Sequence, residues 1–182
     1  MKGVGITDQL DELDDARVAE VAEIVLTKRL DVHDLNEAAV RLAALLSLRE
    51  DEAKQLATEA LASAESDADT AVELLRIGLA ELAAETDETR AEVMAATNVA
   101  GKKQLVIGPE WLGFGVLMIL GYLALKGAAR QSDTETTIIE TDRNGRLKVT
   151  HEKKVVFINP FSSLGKLVGR LVGLEDDIRS GD

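Results

Sequence analysis

Residues 111–125 read Trp111-Leu112-Gly113-Phe114-Gly115-Val116-Leu117-Met118-Ile119-Leu120-Gly121-Tyr122-Leu123-Ala124-Leu125, fifteen positions without a charged or strongly polar side chain. Where this run is buried decides the fold. A bilayer span takes about 20 predominantly apolar residues, whereas runs of about 10–14 are more often core or interfacial helices, and this one falls between. Pro109 suits the first turn of a helix, where its missing N–H costs nothing. A helix over 109–130 would be ~33 Å long, enough to cross. Trp111 at one end, Tyr122 near the other, and Lys126 and Arg130 placed to snorkel favour membrane contact, with Phe114, Leu117 and Leu120 among the lipid-facing side chains.

That expectation carries a conflict of topology. Lys126, Arg130, Arg143 and Arg146 outnumber Lys102 and Lys103 on the other side, which orients the C-terminal side toward the cytoplasm. The front of the chain would then be exported, although "MKGVGITDQLDELDD" lacks the apolar core of a signal peptide. Two resolutions follow: the segment inserts only under some condition, or other copies bury it in an assembly. The corresponding locations are a membrane, at its cytoplasmic face or as an inner-membrane protein, and a soluble assembly.

Upstream, residues 1–98 hold 23 Asp/Glu against 9 Lys/Arg, a net of −14, while the remainder holds 10 against 12. So negative a field excludes nucleic acid as a partner and points to a protein partner for the front half. No cysteine is present, and the five aromatics all lie after position 110. The front core must therefore be built from Leu, Val, Ile and Ala. Helical periodicity predicts an acidic bundle over 1–99, with helices near 8–29, 35–47, 48–65, 70–84 and 87–99. Asp34 with Glu37 and Ser47 with Glu50 have capping-box spacing, and Asp69 and Thr86 are candidate N-caps.

Downstream, residues 100–108 read as a linker or short strand at Leu105-Val106-Ile107. Residues 131–159 read as a β-hairpin, with strands at 134–142 and 146–158. A two-residue turn at Asn144-Gly145 would oppose Arg143 and Arg146, which is unfavourable. A type I turn over Asp142, Arg143, Asn144 and Gly145, with Gly145 in a left-handed bulge, pairs Glu140 with Lys148 and Ile139 with Val149 instead. Past Asn159-Pro160, residues 160–174 form an amphipathic helix with Phe161, Leu164, Leu167, Val168, Leu171, Val172 and Leu174 on one arc. Gly165, Gly169 and Gly173 border that arc, and small residues at this spacing let another helix approach closely. Together with Leu167 and Leu171 they are the expected packing surface between copies. An acidic tail occupies 175–182.

No pattern points to a reaction. His33 and His151 fall in different bodies, without spacing for zinc or a Ser-His-Asp arrangement. Gly101-Lys102-Lys103 lacks the flanking residues of a phosphate loop, and Gly113-Phe114-Gly115 lacks a completed dinucleotide fingerprint. Asp142 to Gly145 lacks the further ligands of a calcium loop. The expectation is a non-enzyme without cofactor or metal. It is mainly α with a small β element: N-terminal helical bundle, long hydrophobic helix, β-hairpin and C-terminal amphipathic helix. Functionally this suggests a self-associating, membrane-associated protein, pore-forming or effector-like; in arrangement alone the layout resembles effector-associated modules of prokaryotic conflict systems. The alternative is a soluble structural subunit of a virion or other large homo-oligomer, its hydrophobic helix buried between subunits.

Overall fold

The structure, a computed structural model, describes residues 5–45, 47–102, 110–117, 119, 137–151, 154–159 and 161–172. In chain order these form α1 (Ile6–Asp11), α2 (Asp15–Leu30), α3 (Leu35–Leu45), α4 (Glu50–Ser66), α5 (Ala68–Glu85) and α6 (Asp87–Val99). Helix α7 (110–117, with 119) follows, then β1 (Thr137–Thr141), β2 (Leu147–His151), β3 (Lys154–Ile158) and α8 (Ser163–Val172). The protein is mainly helical with a small antiparallel sheet.

Helix α5 is the centre. Residues Leu74 to Ala83 are buried without interruption, so apolar surface is covered around its whole circumference and not on one face. It packs against α1, α2, α4, α6 and β3. Its one buried arginine, Arg76, donates to the carbonyl of Leu10 and pairs with Asp15 at 2.9 Å and with Glu73 at 3.1 Å. Local capping agrees with the sequence in part. Thr86 caps α6 by accepting from the Thr89 N–H at 3.1 Å. Asp34 accepts from Glu37 N–H at 2.8 Å, but Glu37 reaches back to His33 and not to Asp34. Ser47 does not start α4. It closes α3 in a left-handed conformation (φ 57°), with Leu48 N–H on Ala43 O and Ser47 N–H on Ala44 O, and Glu52 caps Arg49 N–H instead. Asp69 lies within the first turn of α5, whose N-cap is Asp67.

The hydrophobic segment corrects the sequence-based expectation. Phe114, Val116, Leu117 and Ile119 are fully buried in the same core as the bundle, and Trp111 is half-buried with its ring edge-on to Phe114 at 5.5 Å. Lipid contact expected of Phe114 and Leu117 is replaced by protein contact, because α2, α4 and α5 already cover α7. Three glycines make that contact possible. A Cβ on Gly113 would lie 3.1 Å from the Ala60 carbonyl oxygen of α4, and one on Gly115 would lie 3.1 Å from Leu75 Cδ2 of α5. Reciprocally, a Cβ on Gly78 of α5 would lie 2.1 Å from Cγ2 of Ile119. Among the described residues, no helix is long and apolar enough to cross a membrane. Leu120, Tyr122, Lys126 and Arg130 lie outside the described residues, as do Leu105 to Ile107.

The sheet has the order β1-β2-β3. Its first register is the expected one, Glu140 opposite Lys148 and Ile139 opposite Val149. The long second strand, however, is two strands: β2 pairs antiparallel with β3, Val149 opposite Val156 and His151 opposite Lys154. Leu147, Val149 and Ile158 are buried in the bundle core together with Leu164, Leu167 and Val168 of α8.

A Gly78→Ala substitution is expected to destabilise the fold by about 1–3 kcal/mol from overpacking, despite the roughly 1 kcal/mol that alanine adds to helix propensity. Ile119 is β-branched and helical, so it holds one strongly preferred χ1 rotamer and cannot turn its γ-carbons away from the added methyl without cost. In urea unfolding, Gly78→Ala should lower the midpoint, and Ile119→Ala should cost less in the Gly78→Ala background than in the parent chain; a raised midpoint for Gly78→Ala contradicts the crossing.

Candidate functional site

Because one face of the sheet is committed to the core, the other is presented outward. Lys148 and Thr150 of β2 and Val155 and Phe157 of β3 alternate onto this face, and Lys148 pairs with Glu140 of β1 at 2.8 Å. At the turn end of the sheet lies an open cleft of about 490 Å³ lined by Asn144, Gly145, Arg146, Phe157, Asn159 and Phe161.

Each wall of this cleft has a local cause. Asp142 organises the first. Its Oδ1 accepts from Asn144 N–H at 2.9 Å and Arg146 N–H at 2.8 Å, while its carbonyl accepts from Gly145 N–H at 3.1 Å. Gly145 has φ 77°, the left-handed bulge expected for this loop. The expected turn residues Asp142, Asn144 and Gly145 thus take their roles, and Asn144 and Gly145 also line the cleft. Asn159 organises the second wall: its side chain accepts from Phe161 N–H at 3.0 Å and its carbonyl accepts from Ser162. Ser162 then caps α8 by accepting from Gly165 N–H at 3.0 Å. Helix α8 therefore begins after Phe161, which leaves the apolar arc assigned to it and stands 78% exposed, beside Phe157 at 52%. Among the described residues, no ion pair engages the Arg146 guanidinium.

The glycine-bordered face of α8 has a partner of its own chain. Helix α8 packs along α4, with Gly165, Leu167 and Gly169 buried. Leu171 lies in α8, and Gly173 falls outside the described residues. Gly165, Leu167 and Gly169 are thus covered within the subunit, in a helix that packs along α4.

Two clusters of charge lie elsewhere. Lys154 ties the sheet to the bundle, 2.7 Å from Asp11 and 2.9 Å from Glu73. Burial works to lower its pKa, but the hydrogen bonds and charges of Asp11 and Glu73 outweigh this and hold it above the ordinary lysine value. At the exit of α6, buried Glu20 accepts from Gly101 N–H at 2.7 Å, and its second oxygen has no hydrogen-bond partner among the described residues. One turn along α2, the Glu23 carboxyl is pushed above the ordinary glutamate range, by burial first and the Glu20 charge second. Among the described residues no group of three or more His, Asp or Glu side chains converges to hold a metal ion.

Arg146, Phe157, Asn159 and Phe161 were not distinguishable as a site by sequence reasoning. The usable signal was the Asn159-Pro160 break, which keeps Phe161 out of both strand and helix. Compared with known proteins, the chain matches no family model, no curated protein and no solved structure.

A folded pKa raised above the unfolded value means that protonating Glu23 favours the fold. That gain is complete below the unfolded glutamate value and is lost as pH rises through the raised one. Glu23→Gln is expected to raise the urea midpoint at neutral pH and to shrink the gain in stability on mild acidification; a pH profile identical to that of the parent chain contradicts the carboxylate pairing.

Proposed function

We propose that the protein is a non-enzymatic, self-associating subunit, a helical body that presents the outer face of its sheet to further copies. The observation that carries this reading is the exposure of Phe157 and Phe161 on one cleft, in a chain with only three phenylalanines. Exposed aromatics beside an arginine are the side chains that anchor protein interfaces, because they bury large area at low conformational cost. The charge distribution favours the same end of the molecule. Copies with a net charge of −12 repel through their acidic bundles, so contact is least opposed on the mildly basic rear half. The acidic bundle itself suits a basic protein partner.

A second reading, conditional membrane association, has one feature in its favour, the uncharged run from Trp111 to Leu125. Bilayer contact by its first half requires Phe114, Val116, Leu117 and Ile119 to leave the protein core. This would be a triggered step and not a resting state, in keeping with a pore-forming or effector-like role.

The full chain is expected to sediment as a homo-oligomer without detergent. Phe157→Ser with Phe161→Ser should weaken association while leaving the thermal midpoint nearly unchanged, since both side chains are exposed and surface changes usually fall within about 0.5 kcal/mol. A monomer at all accessible concentrations contradicts self-association, and recovery in carbonate-washed membranes without any trigger favours the second reading.

A further inference from the structure

The cleft at the turn end of the sheet combines three features that define what it accepts. It has two apolar rings, Phe157 and Phe161. It has one cation, Arg146, engaged by none of the described carboxylates. It also has two side-chain amides, Asn144 and Asn159. A guanidinium selects a carboxylate through paired N–H donors, and exposed rings select apolar side chains on either side of it. The matching ligand is an extended peptide with the pattern apolar, any, acidic, any, apolar, since alternate side chains of an extended chain face one way.

This chain contains that pattern. Leu174-Glu175-Asp176-Asp177-Ile178 follows α8, and in extended form it aligns Leu174, Asp176 and Ile178 on one side. We infer that the cleft of one copy receives residues 174–178 of a second copy, Asp176 pairing with Arg146 while Leu174 and Ile178 cover Phe157 and Phe161. This rests on the self-association reading and specifies its interface.

The geometry favours exchange between copies over a fold-back. The cleft borders the start of α8 at Phe161, and the tail leaves from the far end of the helix at Val172. Helix α8 itself rises ~15 Å over its ten residues between the Phe161 end and Val172. A twofold arrangement makes the exchange reciprocal, giving two identical contacts that close a dimer. Charge complementarity agrees: the acidic tail is placed on the rear half of the partner and away from its acidic bundle.

Charge reversal tests the pairing. The parent chain should be a dimer in sedimentation, and Arg146→Asp or Asp176→Arg alone should weaken dimerisation about tenfold or more with unchanged circular dichroism. Mixing the two single variants should restore the dimer, because the tail of each then meets a cleft of complementary charge. Phe161→Ser should weaken dimerisation independently of the charges. A parent chain that is monomeric overturns both the inference and the self-association reading. A dimer insensitive to Arg146→Asp and Asp176→Arg overturns the inference alone. So does a mixture that stays monomeric while the double variant regains the stability of the parent, since the tail would then fold back on its own cleft.

Discussion

The close crossing of α5 and α7 at Gly78 is the constraint on which the rest of the fold depends. A helix buried along ten consecutive residues must be covered on every side, and α1, α2, α4, α6 and β3 leave a side for α7 to fill. Ile119 enters the space that a side chain at Gly78 would take. Gly113 and Gly115 then let the same helix approach the backbone of α4 and Leu75 of α5. Glycine is a poor helix former, by roughly 1 kcal/mol against alanine. At these positions the loss is offset by dispersion contacts that a wider helix separation would forfeit. The described part of the apolar run, residues 111–117 and 119, thus serves as a wall of the bundle core.

From that core follows the placement of the sheet. Its inner residues Leu147, Val149 and Ile158 share one hydrophobic cluster with the bundle and α8, and Lys154 clamps its edge to Asp11 of α1 and Glu73 of α5. Glu73 also meets Arg76, which reaches Asp15 of α2 and the carbonyl of Leu10. Two cations and three carboxylates therefore link α1, α2, α5 and β3. Removing Arg76 would leave the Leu10 carbonyl without this donor and Glu73 with Lys154 as its remaining cation, so the cost falls on a buried hydrogen bond more than on the exposed Asp15 pair. With the inner face anchored in this way, the cleft is held at the free end of a fixed sheet.

What was legible in the sequence was local. The turn from Asp142 to Arg146 was readable because its chemistry is contained in five residues: an aspartate that accepts two backbone N–H groups and a glycine at positive φ. Thr86 was readable as a cap for the same reason. The break between β2 and β3 was not, because Glu152-Lys153 carries none of the glycine, asparagine or proline that marks a turn. Nor does the sequence mark α5 as wholly buried, since Arg76 and Glu81 interrupt its apolar surface and yet both are buried. The run after Trp111 was ambiguous in principle, since lipid and protein core select the same side chains. Only the positions of Gly113 and Gly115 against α4 and α5 separate the two, and those depend on Ala60 and Leu75, far upstream in the chain.

The glycines of α8 show how the same ambiguity extends to partners. A stripe at four-residue spacing announces that something approaches closely, and it does so equally for lipid, another copy or the chain itself. Here α8 packs along α4, with Gly165, Leu167 and Gly169 buried and Lys166 exposed. Apolar surface already covered within the subunit contributes nothing further to association, since the driving force scales with area removed from water. Any interface between copies must therefore draw on surface that remains uncovered after folding. Among the described residues, Val155, Phe157 and Phe161 supply such surface on the sheet and the turn that follows it. The exposed aromatic cleft therefore offers a partner, among the described residues, more apolar area to cover than the face of α8 already buried in the subunit.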